Sequence, residues 1–275
     1  MQDGPMADVK LITSTANPTI KEIKALEMRK RRKETGLFVA EGLRTIIEGM
    51  ELGAELETLV FSTDVKDRPD VIRASEYTKN AIEVNDMVLE KISRKENPQS
   101  VIGVFKQKLQ DLSNVTPDGT WVVLEEVRDP GNLGTIIRTI DSVGAKGVIL
   151  IGNCCDPYSF ESVRATMGSI FLVPIITASR EEFITWSKDW PGQIYGTTLQ
   201  DSVDYREAKY KEPILLIMGN EQAGMTNDLR DICTALIRLP MKGRADSLNL
   251  SIATGVMLYM IEARLKERNQ VLSVG

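Results

Sequence analysis

Short apolar runs alternate with segments of helical periodicity along most of the chain. In its first part, helical patterns separate four strand-like runs, at 38–42, 56–62, 81–84 and 101–107. This alternation predicts a small α/β domain. The stretch DLSNVTPDGT, residues 111–120, is rich in Asp, Ser, Asn, Pro and Gly, which is typical of a linker. We therefore predict an N-terminal domain over residues 1–110 that is followed by a linker over 111–120.

The same alternation returns after the linker and predicts a second domain over residues 121–275. Six apolar runs are separated there by helical patterns, at 121–127, 147–152, 173–177, 193–199, 214–219 and 235–240. Continuous apolar strands joined by helices indicate a largely parallel sheet that is covered on both faces. Ligands of such sheets bind at the carboxyl ends of the strands. Three loops at predicted strand ends are therefore the first candidates for a functional site.

The loop GNEQAGMT, residues 219–226, matches the phosphate-binding pattern G-x-x-x-x-G-K-[ST] except at one position. Met225 replaces the lysine, and Glu221 would repel phosphate, so the sequence disfavours a nucleotide hydrolase of this type. The loop after residues 121–127, RDPGNLGT, is only a partial match to the G-x-G-x-x-G turn of dinucleotide-binding proteins. In that loop Asp129-Pro130-Gly131 predicts a turn and Asn132 a helix cap.

Composition narrows the chemistry that these loops can perform. The chain of 275 residues has no histidine, which removes the commonest metal ligand and the commonest general base. No metal site is predicted. The three cysteines include the adjacent pair Cys154 and Cys155, which favours a reducing, cytoplasmic-type compartment over a disulfide framework. No apolar stretch approaches the ~18 residues needed to span a membrane.

One basic segment stands out in a chain whose net charge is −5. The stretch TIKEIKALEMRKRRKE, residues 19–34, predicts one helix that presents several cations on an exposed face. Its cations are Lys21, Lys24, Arg29, Lys30, Arg31, Arg32 and Lys33. Charge alone leaves open whether this face is only solvated or contacts RNA.

Three motifs together resemble a known family. N-L-G-T-I-I-R-T from Asn132, G-N-E-x-x-G from Gly219 and P-M-x-G-x-x-x-S-L-N-x-S from Pro240 are similar to the signature motifs of the SpoU (TrmH-type) RNA ribose 2′-O-methyltransferases. The likeness extends over residues 121 to about 266. The stretch ITSTANPTIKEIKALEMRKRRKETGLFVAEG, residues 12–42, resembles the substrate-binding domain that precedes the catalytic domain in many members that act on ribosomal RNA.

The resemblance implies a complete architecture and a cofactor. The expected fold is α/β, with a C-terminal trefoil-knot (SPOUT) methyltransferase domain and a smaller N-terminal α/β domain like a ribosomal protein. It also implies S-adenosylmethionine as cofactor, RNA as partner and a homodimer. Main-chain groups of Gly219, Leu239 and Leu248 would contact the cofactor. Its neighbours would be Thr197, Leu199, Asn220, Pro240 and Met241.

The resemblance likewise implies the catalytic set Asn132, Arg138, Glu221, Ser247 and Asn249. Arg138 corresponds to the arginine that activates the ribose 2′-hydroxyl in the family. An arginine has a pKa above about 12, so stabilising the developing alkoxide by charge is easier for it than acting as a base. The identity of the base stays open among Arg138, Glu221 and Ser247. The positioning of Arg138 and the substrate, or the ordering of the motif loops, would fall to Asn132, Glu221, Ser247 and Asn249.

The predicted function is S-adenosylmethionine-dependent 2′-O-methylation of a ribose in RNA, with ribosomal RNA favoured over transfer RNA by the N-terminal domain. The alternative from another class is a catalytically silent RNA-binding module on the same fold. An intact polar set argues against that alternative, since a silent descendant need not keep it. A base methyltransferase of a related knotted family is disfavoured by the third motif.

Overall fold

The computed structural model describes residues 9–93, 99–220 and 224–274, with side chains described as far as residue 267. The chain forms two compact units. The first comprises residues 1–107 and 158–171, and the second comprises residues 108–157 and 172–275. Among the described residues, no helix combines the length and the apolar character needed to cross a membrane.

The strands are, in chain order, β1 (Lys10–Ile12), β2 (Leu37–Glu41), β3 (Leu56–Ser62), β4 (Asn80–Val84), β5 (Val101–Lys106), β6 (Leu109–Gln110), β7 (Thr120–Glu125), β8 (Gly147–Ile151), β9 (Ile175–Ala178), β10 (Gln193–Thr197), β11 (Val203–Asp204), β12 (Ile214–Met218) and β13 (Ala235–Arg238). The α-helices are α1 (Pro18–Ala25), α2 (Arg29–Thr35), α3 (Leu43–Glu51), α4 (Pro69–Tyr77), α5 (Asp86–Ile92), α6 (Pro130–Val143), α7 (Phe160–Thr166), α8 (Arg180–Ser187), α9 (Asn227–Asp231) and α10 (Leu250–Val274).

The first unit is built on a five-stranded mixed sheet of order β1-β4-β3-β5-β2. β5 runs antiparallel to both of its neighbours, and the other pairs are parallel. α7 belongs to this unit although it lies far along the chain. Its flanking aromatics explain why, since Tyr158 and Phe171 pack against Phe38 and Phe105 with ring centroids 4.6 and 4.7 Å apart.

The basic segment forms two helices, so the prediction of one continuous helix is wrong. α1 ends at Ala25 and α2 begins at Arg29, because Met28 adopts an extended backbone. Arg32 is also not on an exposed face, since its side chain is buried. Its guanidinium donates to the carbonyls of Leu26 and Glu27 at 2.7 and 2.8 Å, and both carbonyls lie in the break between α1 and α2.

The second unit contains an eight-stranded sheet of order β11-β13-β10-β12-β7-β8-β9-β6. Every described pairing in it is parallel, which confirms the predicted parallel sheet. Both faces are covered, because the neighbouring residues Val122 and Val123 are both fully buried. Val123 lies on the face that packs with α8 and α9, and α6 packs against α10.

The stretch predicted as a linker is ordered within this second unit. Leu112 and Val115 pack against the core of the eight-stranded sheet, and the indole nitrogen of Trp121 donates to the carbonyl of Thr116 at 3.0 Å. The proposed domain boundaries stay predictions, as does the trefoil knot. The mixed α/β organisation that was predicted for both parts of the chain is confirmed.

Candidate functional site

Four neighbouring strands bring the predicted motifs to one edge of the sheet. β13, β10, β12 and β7 are adjacent and parallel, so Arg238, Thr197, Met218 and Glu125 end them on the same side. Two loops that start there are used by name below. The 219–226 loop joins β12 to α9, and the 239–249 loop joins β13 to α10.

A cavity of about 450 Å³ opens at this edge. Four residues predicted to bind the cofactor line it, namely Leu199, Leu239, Pro240 and Met241. Further lining comes from Arg238, Gly243, Ala245 and Asp246. The size lies within the range of small-molecule sites, and the lining combines apolar groups with one cation and one anion.

The 219–226 loop is closed on itself and tied to β7. Asn220 and Gly224 exchange two backbone hydrogen bonds, each 3.0 Å long. The side-chain amide of Asn220 donates to the carbonyl of Glu126 at 2.9 Å. Glu126 itself has φ +46°, a left-handed conformation that costs a non-glycine residue free energy and marks sites under functional constraint.

A buried carboxylate holds the other end of the same loop. Glu125 is 2% exposed, and it accepts hydrogen bonds from the amide of Thr226 at 3.0 Å and from its hydroxyl at 2.8 Å. Arg180, at the start of α8, pairs with Glu125 at 3.0 Å and with Glu126 at 3.4 Å. Because a buried charge is tolerated only when it is paired and hydrogen-bonded, this network fixes Thr226 relative to the end of β7.

The structure explains why glycine and methionine occupy positions 219 and 225, which the sequence pattern did not. A Cβ on Gly219 would lie 2.5 Å from the backbone of Gly224 and Met225, so the glycine permits the loop to close on itself. Met225, which replaces the lysine of a phosphate-binding loop, is 8% exposed and packs in the apolar core against Gly196. The loop therefore points no cation from this position toward a ligand.

The first and third motifs meet through two asparagines. The side-chain amide of Asn249 donates to the side-chain oxygen of Asn132 at 2.9 Å. Asn249 also caps α10, since its oxygen accepts from the amide of Ser251 at 2.9 Å. Asn132 does not cap its own helix, and that prediction is wrong. Asp129 is the cap of α6 and accepts from the amide of Asn132 at 2.6 Å, with Pro130 in the first turn.

Arg138 and Ser247 are exposed on the surface of the unit. Within the described parts of the chain, no hydrogen bond or ion pair holds either side chain, and neither residue lines the cavity. Arg138 lies on α6 six positions after Asn132, which places the two about 120° apart around the helix. The single chain therefore does not bring the predicted activating arginine to the predicted cofactor residues.

The remaining predicted residues are placed as follows. The hydroxyl of Thr197 donates to the carbonyl of Ile217 at 3.1 Å and joins β10 to β12. Leu248 is 42% exposed and lies outside the cavity lining. Glu221 lies outside the described residues. The roles predicted for all these side chains stay predictions.

Metal and thiol chemistry find no support in the described residues. Among them, no three His, Cys, Asp or Glu side chains group as metal ligands would. None of the three cysteines forms a disulfide. Burial raises the pKa of the Cys154 thiol to about 11 and that of Cys233 to about 12, which keeps both protonated at neutral pH.

Sequence reasoning missed the two charges that line the cavity and the network around Glu125. Arg238 and Asp246 occupy variable positions of the third motif and its preceding strand, so the motif gave no signal for them. Glu125 carries a signal that could have been used. It is a charged residue inside the otherwise apolar run WVVLEEV, and such a residue is buried only when it has partners.

Comparisons with known proteins found matches to both units. A family model described as the SpoU rRNA Methylase family matches residues 119–259, and one described as the MRM3-like substrate binding domain matches residues 17–103. The crystal structure of an AdoMet-bound rRNA methyltransferase from Sinorhizobium meliloti has a TM-score of 0.87 and 46% identity. The alignment covers 94% of this chain and 98% of that one.

Two curated relatives extend the comparison. A 23S rRNA (guanosine(2553)-2′-O)-methyltransferase of Bacillus subtilis is 28% identical over 251 residues, covering 91% of this chain and 98% of the relative. A 23S rRNA (uridine(2479)-2′-O)-methyltransferase of Streptomyces viridochromogenes is 31% identical over 241 residues, covering 84% of each. Both likenesses extend over both units.

Proposed function

Because the chain belongs to the SpoU rRNA methylase family, we propose that it transfers the methyl group of S-adenosylmethionine to the 2′-hydroxyl of a ribose in ribosomal RNA. Family membership confirms the predicted enzyme class, and the AdoMet-bound structure at 46% identity confirms the predicted cofactor. The observation that carries the proposal is the cavity lined by the third motif at the carboxyl edge of the sheet. No observation favours transfer RNA or a silent module.

The residues around the cavity fit this cofactor. Leu199, Leu239 and Met241 offer apolar surface and main-chain groups to its adenosine part. Arg238 and Asp246 provide one cation and one anion, which suit the carboxylate and ammonium groups of its methionine part. The cofactor supplies an electrophilic methyl group when it is bound, and the chain supplies orientation and charge.

The hydroxyl that attacks must be aligned with the methyl group and must lose its proton. Arg138 is the candidate for stabilising the developing alkoxide, since its cationic guanidinium is exposed and no described side chain pairs with it. The Asn132–Asn249 hydrogen bond holds the start of α6, the helix that carries Arg138, to the start of α10. Asn132 and Asn249 would therefore act as positioning residues.

Binding of RNA is assigned to the first unit, whose matched model is described as a substrate-binding domain. The burial of Arg32 and the ion pairs Lys24–Glu27 and Arg31–Glu34 reduce the basic cluster that the sequence suggested. Arg29 and Lys33 stay exposed. Lys30 pairs with Glu34 only at 3.9 Å and is 84% exposed, so these three cations form the part of α2 that can neutralise phosphates.

A homodimer is supported by the surface of α10. Ile252, Val256 and Tyr259 are 55%, 39% and 56% exposed and lie at i, i+4 and i+7, which makes one apolar stripe. Such a stripe marks an interaction surface more often than a solvated face. α10 packs against α6, where Gly255 approaches Thr139, so the stripe adjoins the helix that carries Arg138. A second copy docked there would lie beside Arg138, and we expect the protein to act in the cytoplasm as this dimer.

The test is single-turnover methyl transfer to an unmodified 23S rRNA transcript, followed by mapping of 2′-O-methylated riboses. Arg138→Ala should lower the rate by roughly 10²-fold, because the charge acts mainly on the transition state. Arg138→Lys should recover part of the rate, since a point charge lacks the planar fork. Thermal melting should be unchanged in both variants, because the side chain is exposed. Absence of any 2′-O-methylation by the wild type would overturn the proposal.

A further inference from the structure

Within the 239–249 loop, residues 241–245 alternate between the cavity lining and exposed cations. Met241, Gly243 and Ala245 line the cavity. The two residues between them, Lys242 and Arg244, are exposed and do not line it. Positions 241, 243 and 245 therefore form an inner face of the loop at the cavity, and the two positions between them carry cations on an outer, solvent-exposed face.

Seven other cations of the second unit are paired with carboxylates, whereas these two, like Arg138, are in no described ion pair. Arg128 pairs with Glu126 at 2.9 Å, and Lys146 pairs with Asp118 at 2.5 Å. Arg180, Arg206, Arg230, Arg264 and Lys266 are likewise in ion pairs. For Lys242 and Arg244, no ion pair or side-chain hydrogen bond occurs with any residue that the structure describes. No described carboxylate therefore pairs with either charge.

We propose that Lys242 and Arg244 bind phosphates of the RNA strand next to the ribose that is methylated. The inference rests on the proposed function, and it adds an RNA contact in the second unit to the one assigned to the first. The net charge of the chain is −5, so an RNA backbone would be repelled on average and must be met by local cations. A strand held on the outer face of the loop lies one loop thickness from the cofactor cavity, which suits a target ribose that must reach it.

The same loop gives a physical link between the cofactor and RNA. No backbone–backbone hydrogen bond involves residues 239–248 among those recorded for the described chain. A segment with so few internal bonds is of low local stability and takes its order from what it contacts. A cofactor on the inner face should therefore fix the outer cations and strengthen RNA binding, and by linkage RNA should strengthen cofactor binding by the same factor.

The experiment compares two double variants that remove the same charge from the same unit. Lys242→Gln/Arg244→Gln tests the loop, and Lys188→Gln/Lys211→Gln removes two exposed lysines that lie outside the motif loops. Binding of a 23S rRNA transcript is measured over a range of salt concentrations, with and without S-adenosylhomocysteine, which has no methyl group to transfer. Both variants are also titrated with S-adenosylhomocysteine alone.

Loss of two phosphate contacts should lower the slope of log K against log salt by roughly 1.4 to 1.8 in the loop variant and by less than half of that in the control. RNA binding by the wild type and the control should tighten at least about fivefold with S-adenosylhomocysteine, and this gain should fall toward onefold in the loop variant. Affinity for S-adenosylhomocysteine alone should be unchanged, which shows that the cavity is intact. An unchanged salt slope, or equal changes in the two double variants, would overturn the contact, and an undiminished gain would overturn the link.

These outcomes are separate from failure of the proposed function. If the wild type neither binds S-adenosylhomocysteine nor methylates ribose, the proposed function is wrong. If it does both while the loop variant behaves like the control, only the assignment of Lys242 and Arg244 is wrong.

Discussion

Two loops leave the same edge of the eight-stranded sheet and are held in opposite ways. The 219–226 loop is closed by the Asn220–Gly224 hydrogen bonds and is tied to β7 at two points, through Glu126 and Glu125. The 239–249 loop makes no backbone–backbone hydrogen bond over residues 239–248 with any part of the chain that the structure describes, and it is exposed from Lys242 to Asn249. Only the loop without such ties contributes the main lining of the cavity.

This contrast indicates that residues of the second motif mainly hold their own loop in shape, whereas those of the third motif lie in a loop that can adjust to a ligand. Gly219, Gly224 and Thr226 serve the internal geometry of the 219–226 loop, so its described residues, 219–220 and 224–226, are held in place by contacts within the protein. The 239–249 loop is held at its ends, by β13 and by the cap of α10, and can adjust to ligands between them. A loop held by its own contacts, next to one that can adjust, would allow a cofactor to be placed accurately and its binding to affect the binding of RNA.

The largest effect should come from adding one methyl group to each loop. Gly219→Ala would place a Cβ 2.5 Å from the backbone of Gly224 and Met225, whereas a Cβ at Gly243 would meet no atom within 4 Å. Backbone cannot yield as a flexible side chain can, so we expect Gly219→Ala to cost about 3 kcal/mol or more and Gly243→Ala close to nothing. Thermal melting gives the comparison, with a drop of roughly 6 °C or more for Gly219→Ala.

Cofactor titration sharpens the same comparison. S-adenosylmethionine affinity should fall at least about tenfold in Gly219→Ala, because the 219–226 loop, which is predicted to contact the cofactor, can no longer close on itself. It should change little in Gly243→Ala, because the adjustable loop can accommodate one methyl group. Equal melting temperatures and equal affinities for the two variants would contradict the distinction between a fixed 219–226 loop and an adjustable 239–249 loop.

The fold was predictable where long-range order follows from local pattern. Apolar runs such as residues 147–152 and 214–219 could only be strands buried on both faces, and they are β8 and β12. β6 and β11 are two residues long and carry no periodicity that a sequence could show. The membership of α7 in the first unit depends on contacts of Tyr158 and Phe171 with Phe38, which is more than a hundred positions away, and no local pattern contains such contacts.

The sequence predicted where the site residues lie better than it predicted what their side chains contact. The motifs located the edge of the sheet, and Leu239, Pro240 and Met241 do line one cavity. Gly219 was expected to contact the cofactor through its main chain, and the structure adds that a Cβ there would meet the backbone of its own loop. The partners of Glu125 come from α8 and from the 219–226 loop, so only the three-dimensional arrangement reveals them.

A smaller effect is expected from the tie between Glu125 and Thr226. Thr226→Val keeps the shape and removes the hydroxyl that donates at 2.8 Å to a buried carboxylate. Hydrogen bonds to charged groups contribute about 1.5–3 kcal/mol, so thermal melting should show a loss of that order in the free energy of unfolding. Affinity for S-adenosylmethionine should fall about threefold to tenfold, because the 219–226 loop loses one of its two hydrogen bonds to Glu125.

Thr226→Ser is the matched control, because serine keeps the hydroxyl and loses only a methyl group. It should retain most of the stability and cofactor affinity of the wild type. If the serine variant loses as much as the valine variant, packing of the methyl group rather than the hydrogen bond holds the loop, and the role given to Glu125 is wrong.

The smallest perturbation is to change no residue and to measure amide hydrogen exchange in the two loops. In the unliganded protein the amides of Asn220, Gly224 and Thr226 should be protected, because each donates a hydrogen bond of 3.0 Å. Amides at residues 241–248 should exchange at nearly unprotected rates, since none of them has a recorded acceptor among the described residues. Addition of S-adenosylhomocysteine should slow exchange at residues 241–246 more than in the 219–226 loop, because amides that are already hydrogen-bonded can gain little further protection. Equal protection of both loops before the ligand is added would show that the 239–249 loop is fixed in solution, and the coupling between cofactor and RNA would then have to arise elsewhere.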